Sequence, residues 1–262
     1  MSATTVSRRA PAIAPTNIAN ALTGMRVLIA GASGAIGSAL LTRLAEAGAV
    51  VGAQVYQHPL PMPSYGRIQH YRTDVTKPAA CAALVDRFAR WAGGVDALVQ
   101  LCGSVRRPCS WDQLTLADWD ADLQVNLVGP FFLAQRAMRH MAKTGGRIIL
   151  TSTASAQHGG GRQSIPYGAA KAGIECLTKA LAREGAGQGI LVNAIAPGFI
   201  DTPFHRRRLR RTPEELARRA AMVPLKRAGT PDEVADLIVY LLSPGSRYIT
   251  GQCIAVSGGD WL

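Results

Sequence analysis

Tyr167 and Lys171 stand four residues apart in "SIPYGAAKAG" (Ser164 to Gly173), a segment otherwise rich in small residues. In a helix such a pair shares one face, and an ammonium beside a phenol favours the phenolate. The expected consequence is a phenol of lowered pKa that passes a proton near neutral pH. An amphipathic helix with one snorkelling lysine would carry the same two residues. What surrounds the pair in the fold decides between these possibilities.

Apolar runs of strand length alternate with helical patterns from residue 25 to the end, with no Pro/Ser-rich linker and no internal repeat. That alternation predicts one α/β domain over 23–262, a doubly wound, seven-stranded parallel sheet flanked by helices. Strands are expected at 26–31, 49–55, 67–71, 95–101, 146–152, 190–196 and 252–257. Helices are expected at 36–47, 78–92, 117–142, 166–186 and 231–242. The stretch 199–227 breaks the rhythm and is expected to lie over one edge as an insertion.

Directly after the first strand comes "AGASGAIGSALLTRLAEAG", with Gly31, Gly34 and Gly37 opening a helix. Glycines there let the backbone turn tightly and approach a pyrophosphate seated on the helix N-terminus. The end of the second strand, "VVGAQVYQHP", has no Asp or Glu to hold ribose hydroxyls and no Arg or Lys to attract a 2′-phosphate. The missing carboxylate tilts the expectation to NADP(H), with NAD(H) as the alternative.

Glycine turn, Tyr-x-x-x-Lys pair and element order together resemble the classical short-chain dehydrogenase/reductase family over about residues 24–262, a Rossmann-type fold. The closest pattern is that of 3-oxoacyl-carrier-protein reductases and related carbonyl reductases. "TDV" (73–75) is similar to the family's adenine-contacting pair, Asp74 and Val75, and "LQVNLVGPF" (123–131) carries its helix asparagine, Asn126. "APGFIDTPF" (196–204) is similar to the segment that holds nicotinamide and pyrophosphate. The resemblance implies a cofactor site of Gly31, Ser33, Gly34, Ala35, Ile36, Gly37, Asp74, Val75, Gly103, Tyr167, Lys171, Pro197, Gly198, Ile200 and Thr202. It implies a catalytic set of Asn126, Thr153, Tyr167 and Lys171, with a substrate lid at about 199–227. In that set Tyr167 exchanges the proton and Thr153 binds the carbonyl oxygen. Lys171 lowers the tyrosine's pKa and holds the ribose, and Asn126 holds a relay water.

The chain departs from the family pattern in three places. Ala30 and Ala35 replace the Thr and the middle Gly of the turn, and "QLCG" (100–103) replaces Asn-Asn-Ala-Gly, keeping Gly103 but losing the asparagines that brace the sheet end. Thr153 lies one residue farther from Tyr167 than the family's usual serine, which leaves Ser152 and Ser155 as rivals. Strand alternation points Ser152 away from the face of Thr153. His158, Cys102, Trp111 and Trp119 are read as an exposed loop residue, a small hydrophobe in the cleft and packing aromatics.

Composition bounds the alternatives. With 262 residues, 48% of them hydrophobic, the chain can bury a large core. Five cysteines (Cys81, Cys102, Cys109, Cys176, Cys253) show neither metal-ligand spacing nor pairing, so no metal is expected and a reducing cytoplasm fits. No apolar run is long enough to span a bilayer. Residues 1–22, rich in Ser, Thr, Ala and Pro, read as a disordered extension rather than a transit peptide. Residues 205–227 hold nine Arg/Lys against Glu214 and Glu215, which accounts for +7 of the net charge of +12. A charge so localised argues against a nucleic-acid stripe and suggests steering of an anionic or carrier-bound acyl substrate. The expectation is therefore a reductase of ketones or dehydrogenase of secondary alcohols, a homo-oligomer (tetramer or dimer) with no membrane or nucleic-acid partner. A cofactor binder without turnover and a nucleic-acid binder at "HRRRLRR" (205–211) are the competing possibilities.

Overall fold

The computed structural model describes residues 20–58, 60, 65–207 and 209–260. Along the chain run β1 (Arg26–Ala30), α1 (Ala35–Glu46), β2 (Val50–Val55), β3 (Arg67–Arg72), α2 (Pro78–Ala92) and β4 (Ala97–Gln100). Then come α3 (Leu116–Leu123), α4 (Gly129–Met141), β5 (Gly146–Thr151), α5 (Ile165–Gly185) and β6 (Ile190–Pro197). The last elements are α6 (Pro203–Arg207), α7 (Pro213–Met222), α8 (Pro231–Leu242) and β7 (Cys253–Val256). All seven strands pair in parallel, in the order β3-β2-β1-β4-β5-β6-β7.

Strands covered on both faces must be apolar throughout. In β1, Val27, Leu28, Ile29 and Ala30 are all fully buried. Helices α1 and α8 close one face through Leu40, Leu41, Leu44, Val234, Ile238 and Leu241. Helices α2, α4 and α5 close the other through Leu84, Phe88, Leu133, Met141 and Ile174. Strand order reverses between β1 and β4, and in such sheets the loops beyond the strand C-termini part there to leave a crevice.

Two expectations need correcting. Asn20–Leu22, counted in the disordered extension over 1–22, forms a 3-10 turn with Leu22 fully buried; residues 1–19 lie outside the described residues. The single helix expected over 117–142 is α3, a π-helical turn (Gln124–Val128) and α4. Gly129 N donates to Gln124 O, five residues back. Pro130 explains the wide turn, because it has no N–H to donate to the carbonyl of Asn126 four residues earlier.

Candidate active site

A cavity of about 1670 Å³ opens at the C-terminal ends of the strands. Gly31, Ser33, Gly34, Ala35, Ile36, Gly37, Asp74, Val75, Gly103, Thr153, Tyr167, Lys171, Pro197, Gly198, Ile200 and Thr202 all line it. Of the expected site residues Asn126 alone is not in the lining; it is fully buried behind it.

At one end lies the glycine turn. Gly31 adopts φ +90°, and a Cβ there would come within 2.8 Å of Cys102 N. A Cβ on Gly37 would come within 2.3 Å of Gly31 O, so helix and turn meet backbone to backbone. Gly34 caps α1 without a side chain, and the first-turn amides of Ala35, Ile36 and Gly37 have no acceptor within the helix. Unpaired N–H groups at a helix N-terminus facing a cavity suit a pyrophosphate, so these residues fit a dinucleotide. Ala35, replacing a glycine of the family turn, is the first residue of α1 and is only half-buried.

Two glutamines brace the sheet end where the family's asparagines are missing. Ala30 pairs in register with Gln54 on one side and Gln100 on the other. Gln54 Oε1 accepts from Gly31 N at 2.8 Å, while its Nε2 donates to Thr73 O at 2.7 Å and Val55 O at 3.0 Å. Gln100 Nε2 donates to Cys102 O at 2.8 Å, and Thr151 Oγ1 donates to Gln100 O at 2.6 Å. Gln54 is therefore spent on holding the turn. Tyr56, Gln57 and His58 line the cavity beyond it, and so does Lys77, brought from the start of α2. Lys77 is outside any local pattern around β2, and only the fold places it there. Cys102, on the same wall, donates to Gln54 Oε1 at 3.5 Å, and burial pushes its thiol up to about 12.

At the other end Thr153 and Tyr167 both line the cavity, and the Thr153 hydroxyl favours the ionised form of the phenol. Thr153 Oγ1 also lies 3.2 Å from Ser155 Oγ. Ser152 faces the opposite way, its Oγ shared between Lys171 O at 3.0 Å and Glu175 Oε1 at 2.9 Å. The Ser152 hydroxyl is thus committed to α5. Lys171 Nζ lies 5.6 Å from the centre of the Tyr167 ring and donates to Thr151 O at 2.7 Å.

The charge states differ from the sequence expectation of a lowered phenol. Burial pushes Tyr167 up to about 12; the Thr153 hydrogen bond opposes this and the charge of Asp122 adds to it. Burial also brings Lys171 down to about 8. Helical spacing predicts that the two side chains are neighbours, but it carries no information on desolvation, the largest influence on both groups here.

Asn126 has its side chain committed to the protein. Its Nδ2 donates to Ser104 O at 2.7 Å and Asp122 O at 2.8 Å, and its Oδ1 accepts from Ser104 N at 3.1 Å. Both amide hydrogens are engaged, so the side chain braces the loop after β4 and has no donor left for a water. Asp122, one turn earlier and equally hidden, accepts from Arg106 N at 2.8 Å and extends that brace.

The segment 199–227 covers this end. Phe204 on α6 lies 6.3 Å from Tyr167, ring centre to ring centre, and Phe199 packs 4.9 Å from His205. Burial, then the nearby Arg219, lowers the pKa of His205. The basic excess of the segment is partly offset by acids from outside or within it: Arg206 pairs with Asp201, Arg211 with Glu215, Arg219 with Asp260 and Arg227 with Glu233. Asp201, Asp260 and Glu233 lie outside 205–227, so counting charge over that window overstated the field. Arg208 and the side chain of Arg207 lie outside the described residues. His158 is exposed and absent from the cavity lining; Trp111 is 77% exposed. Phe204, His205, Arg106 and Arg162 line the cavity without any sequence signal beyond proximity to a motif.

Among the described residues no group of three metal-ligating side chains occurs, and no helix is long and apolar enough to cross a membrane.

Residues 31–260 match the family model described as "Enoyl-(Acyl carrier protein) reductase". The chain is 36% identical over 250 residues to the 3-oxoacyl-[acyl-carrier-protein] reductase FabG of Thermotoga maritima, covering 91% of this chain and 98% of that protein. It is 35% identical over 240 residues to the cis-4-hydroxycyclohexanecarboxylate dehydrogenase of Sinomonas cyclohexanicum, covering 88% and 94%. The ligand-free aldohexose dehydrogenase of Thermoplasma acidophilum superposes with a TM-score of 0.83 at 27% identity, covering 92% and 95%.

Proposed function

We infer the function from one premise: the chain belongs to the classical short-chain dehydrogenase/reductase family, and so is an oxidoreductase acting between a nicotinamide cofactor and a ketone or secondary alcohol. The observation that supports a working site is the hydroxyl pair of Thr153 and Tyr167, set beside Lys171 in a cavity whose other end is the glycine turn.

The first-turn amides of α1, with Asp74, Val75, Gly103, Pro197, Gly198, Ile200 and Thr202, would hold the cofactor. When bound, it supplies or accepts the hydride. Thr153 donates a hydrogen bond to the carbonyl oxygen, most strongly as that oxygen gains charge. Tyr167, kept protonated by burial, gives its phenolic proton to the same oxygen, and in alcohol oxidation its phenolate takes the proton back. Lys171 limits the cost of that phenolate through its positive charge. Asn126 positions the loop after β4 with its side chain, and its carbonyl, which Pro130 cannot cap, is the acceptor that would hold a relay water.

NADP(H) is the favoured cofactor, because no carboxylate stands at the end of β2, Gln54 is engaged in the turn, and Lys77 lines the same cavity. The substrate is an acyl or carboxylate-bearing ketone, the class bracketed by what the two relatives' names say they act on. A cytoplasmic homo-oligomer, tetramer or dimer, fits the free cysteines and the small-residue helix α5. Light scattering at the 27.7 kDa monomer mass would refute the assembly.

The deciding experiment follows NADPH and NADH absorbance over a panel of ketones, with Tyr167→Phe as the control. Turnover that Tyr167→Phe abolishes, with cofactor binding kept, supports the assignment. Tight cofactor binding with no turnover on any ketone would favour a binder that has lost catalysis.

A further inference from the structure

Arg162 sits on the loop between β5 and α5, lines the cavity that holds Tyr167 and Thr153, and has no carboxylate partner among the described residues. Three features fix that loop close to the reacting hydroxyls. Gly160 lies against Gly168, the residue after Tyr167: a Cβ on Gly160 would come within 2.9 Å of Gly168 Cα, and one on Gly168 within 2.6 Å of Gly159 O. Ser164 Oγ donates to Gly161 O at 2.7 Å. Gln163, next to Arg162, is held at φ +60°, a left-handed conformation that a side chain disfavours. These contacts press the loop onto the first turn of α5 and fix the backbone on either side of the exposed Arg162.

The same loop is tied to the one carrying Arg106. Cys109 N donates to Gln163 O at 3.3 Å, and the backbone of Arg106 is anchored on the buried Asp122. Arg107, next in sequence, is committed to Asp118 at 2.6 Å, whereas Arg106 also lines the cavity without a salt bridge among the described residues. Two exposed arginines from different loops thus line the cavity, each on an anchored backbone. A guanidinium with no internal carboxylate can accept an oxyanion from outside in a bidentate geometry, which a neutral group of the same shape cannot match.

We propose that Arg162, assisted by Arg106, is the substrate-anion subsite: the ketone reduced here carries its own carboxylate, or another oxyanion, a few bonds from the carbonyl. The inference rests on the cavity being a ketone-reductase site and narrows it. It also places anion recognition on the loops that frame the tyrosine, where neither arginine has a carboxylate partner among the described residues, whereas Arg206, Arg211, Arg219 and Arg227 of the lid are paired. Because Arg162 is within a short loop of Gly168, the anion it reads is near the carbonyl and is not the distant phosphate of a long carrier arm.

The test uses the NADPH-loaded full chain, with 4-oxocyclohexanecarboxylate and its methyl ester as a matched pair and acetoacetyl-coenzyme A as the probe with remote phosphates. The acid is expected to exceed the ester in kcat/KM by roughly ten- to a hundredfold, the size of a charge-assisted hydrogen bond. Arg162→Ala should erase that ratio while changing kcat/KM for the ester and for acetoacetyl-coenzyme A less than threefold; Arg162→Lys should restore part of it. Calorimetric titration of the loaded protein with cyclohexanecarboxylate gives a readout without turnover, expected in the wild type and lost in Arg162→Ala. Equal rates for acid and ester in the wild type, an Arg162→Ala loss common to all three probes, or no cyclohexanecarboxylate binding would overturn the proposal. A wild type that reduces acetoacetyl-coenzyme A yet fails these tests would leave the reductase assignment standing.

Discussion

Lys171 Nζ donates to the main-chain oxygen of Thr151 at 2.7 Å from a side chain that is 2% exposed. The lysine that serves Tyr167 is therefore anchored on the end of β5 as well as on its own helix. Burial lowers its pKa from 10.5 to about 8. Below pH 8 folded and unfolded chains both bind this proton, and the folded chain bears the full cost of burying the charge. Between pH 8 and 10.5 the unfolded chain binds more protons, so this residue's contribution makes stability rise with pH. Lys171→Met should flatten that rise, which in the wild type amounts to about 2 kcal/mol between pH 7 and 9.5. Urea melts at the two pH values measure it, and an identical pH dependence in both proteins would refute it.

Tyr167 gives the opposite sign. Its folded pKa is raised from 10.0 to about 12, so between those values the folded chain retains a proton that the unfolded chain has lost, and stability falls as pH rises above 10. For the reaction, ketone reduction needs the phenol and the charged Lys171 and should stay flat only to about pH 8, whereas alcohol oxidation needs the phenolate and should climb with pH. Initial rates in the two directions, from pH 7 to 10, decide this.

Hydroxyl orientation separates Thr153 from Ser152. Thr153→Val should reduce kcat by about a hundredfold with a smaller effect on KM, the cost typical of one lost oxyanion donor. Ser152→Ala should act on stability, by about 1 kcal/mol, because its hydroxyl bonds to Lys171 O and Glu175 and does not face the Thr153–Tyr167 pair. Steady-state kinetics with thermal melts would show a reversed pattern if the assignment were wrong.

The turn after β1 tolerates no side chain at Gly37, where a Cβ would stand 2.3 Å from Gly31 O. Gly37→Ala is expected to destabilise the fold by about 2 kcal/mol or more and to weaken cofactor binding at least tenfold. Melting temperature and fluorescence titration with NADPH report the two effects. Unchanged values would mean that α1 can shift freely.

Cofactor choice is tested at Lys77. Lys77→Ala should lower kcat/KM for NADPH by about tenfold and leave NADH nearly unchanged, since a 2′-phosphate is the only group that distinguishes the two. A wild type that prefers NADH more than tenfold would refute the NADPH assignment, and Tyr56 or Gln57 would then be the residues to replace, because Gln54 is held inside the turn.

The sequence by itself determined the elements and their order. Continuous apolar runs in β1 and β4, the turn of Gly31, Gly34 and Gly37, and the four-residue step from Tyr167 to Lys171 are local patterns, and local patterns fix periodicity and backbone freedom. The same patterns marked the segments whose residues gather around one cavity. Tertiary structure decided what depends on burial and on partners distant in sequence. Tyr167 is raised and not lowered because desolvation is set by what packs around it, such as Phe204, and the charge of Asp122 adds to it. Asn126 braces Ser104 because Pro130 widens the turn and the loop after β4 folds beneath it. The basic stretch 205–227 lost part of its field to Asp201, Glu233 and Asp260, carboxylates that lie outside that window, one of them far along the chain. Arg162 gained its place from a backbone contact between Gly160 and Gly168 that no spacing rule encodes. Electrostatic energy depends on distance and dielectric in three dimensions, and neither is a property of sequence position.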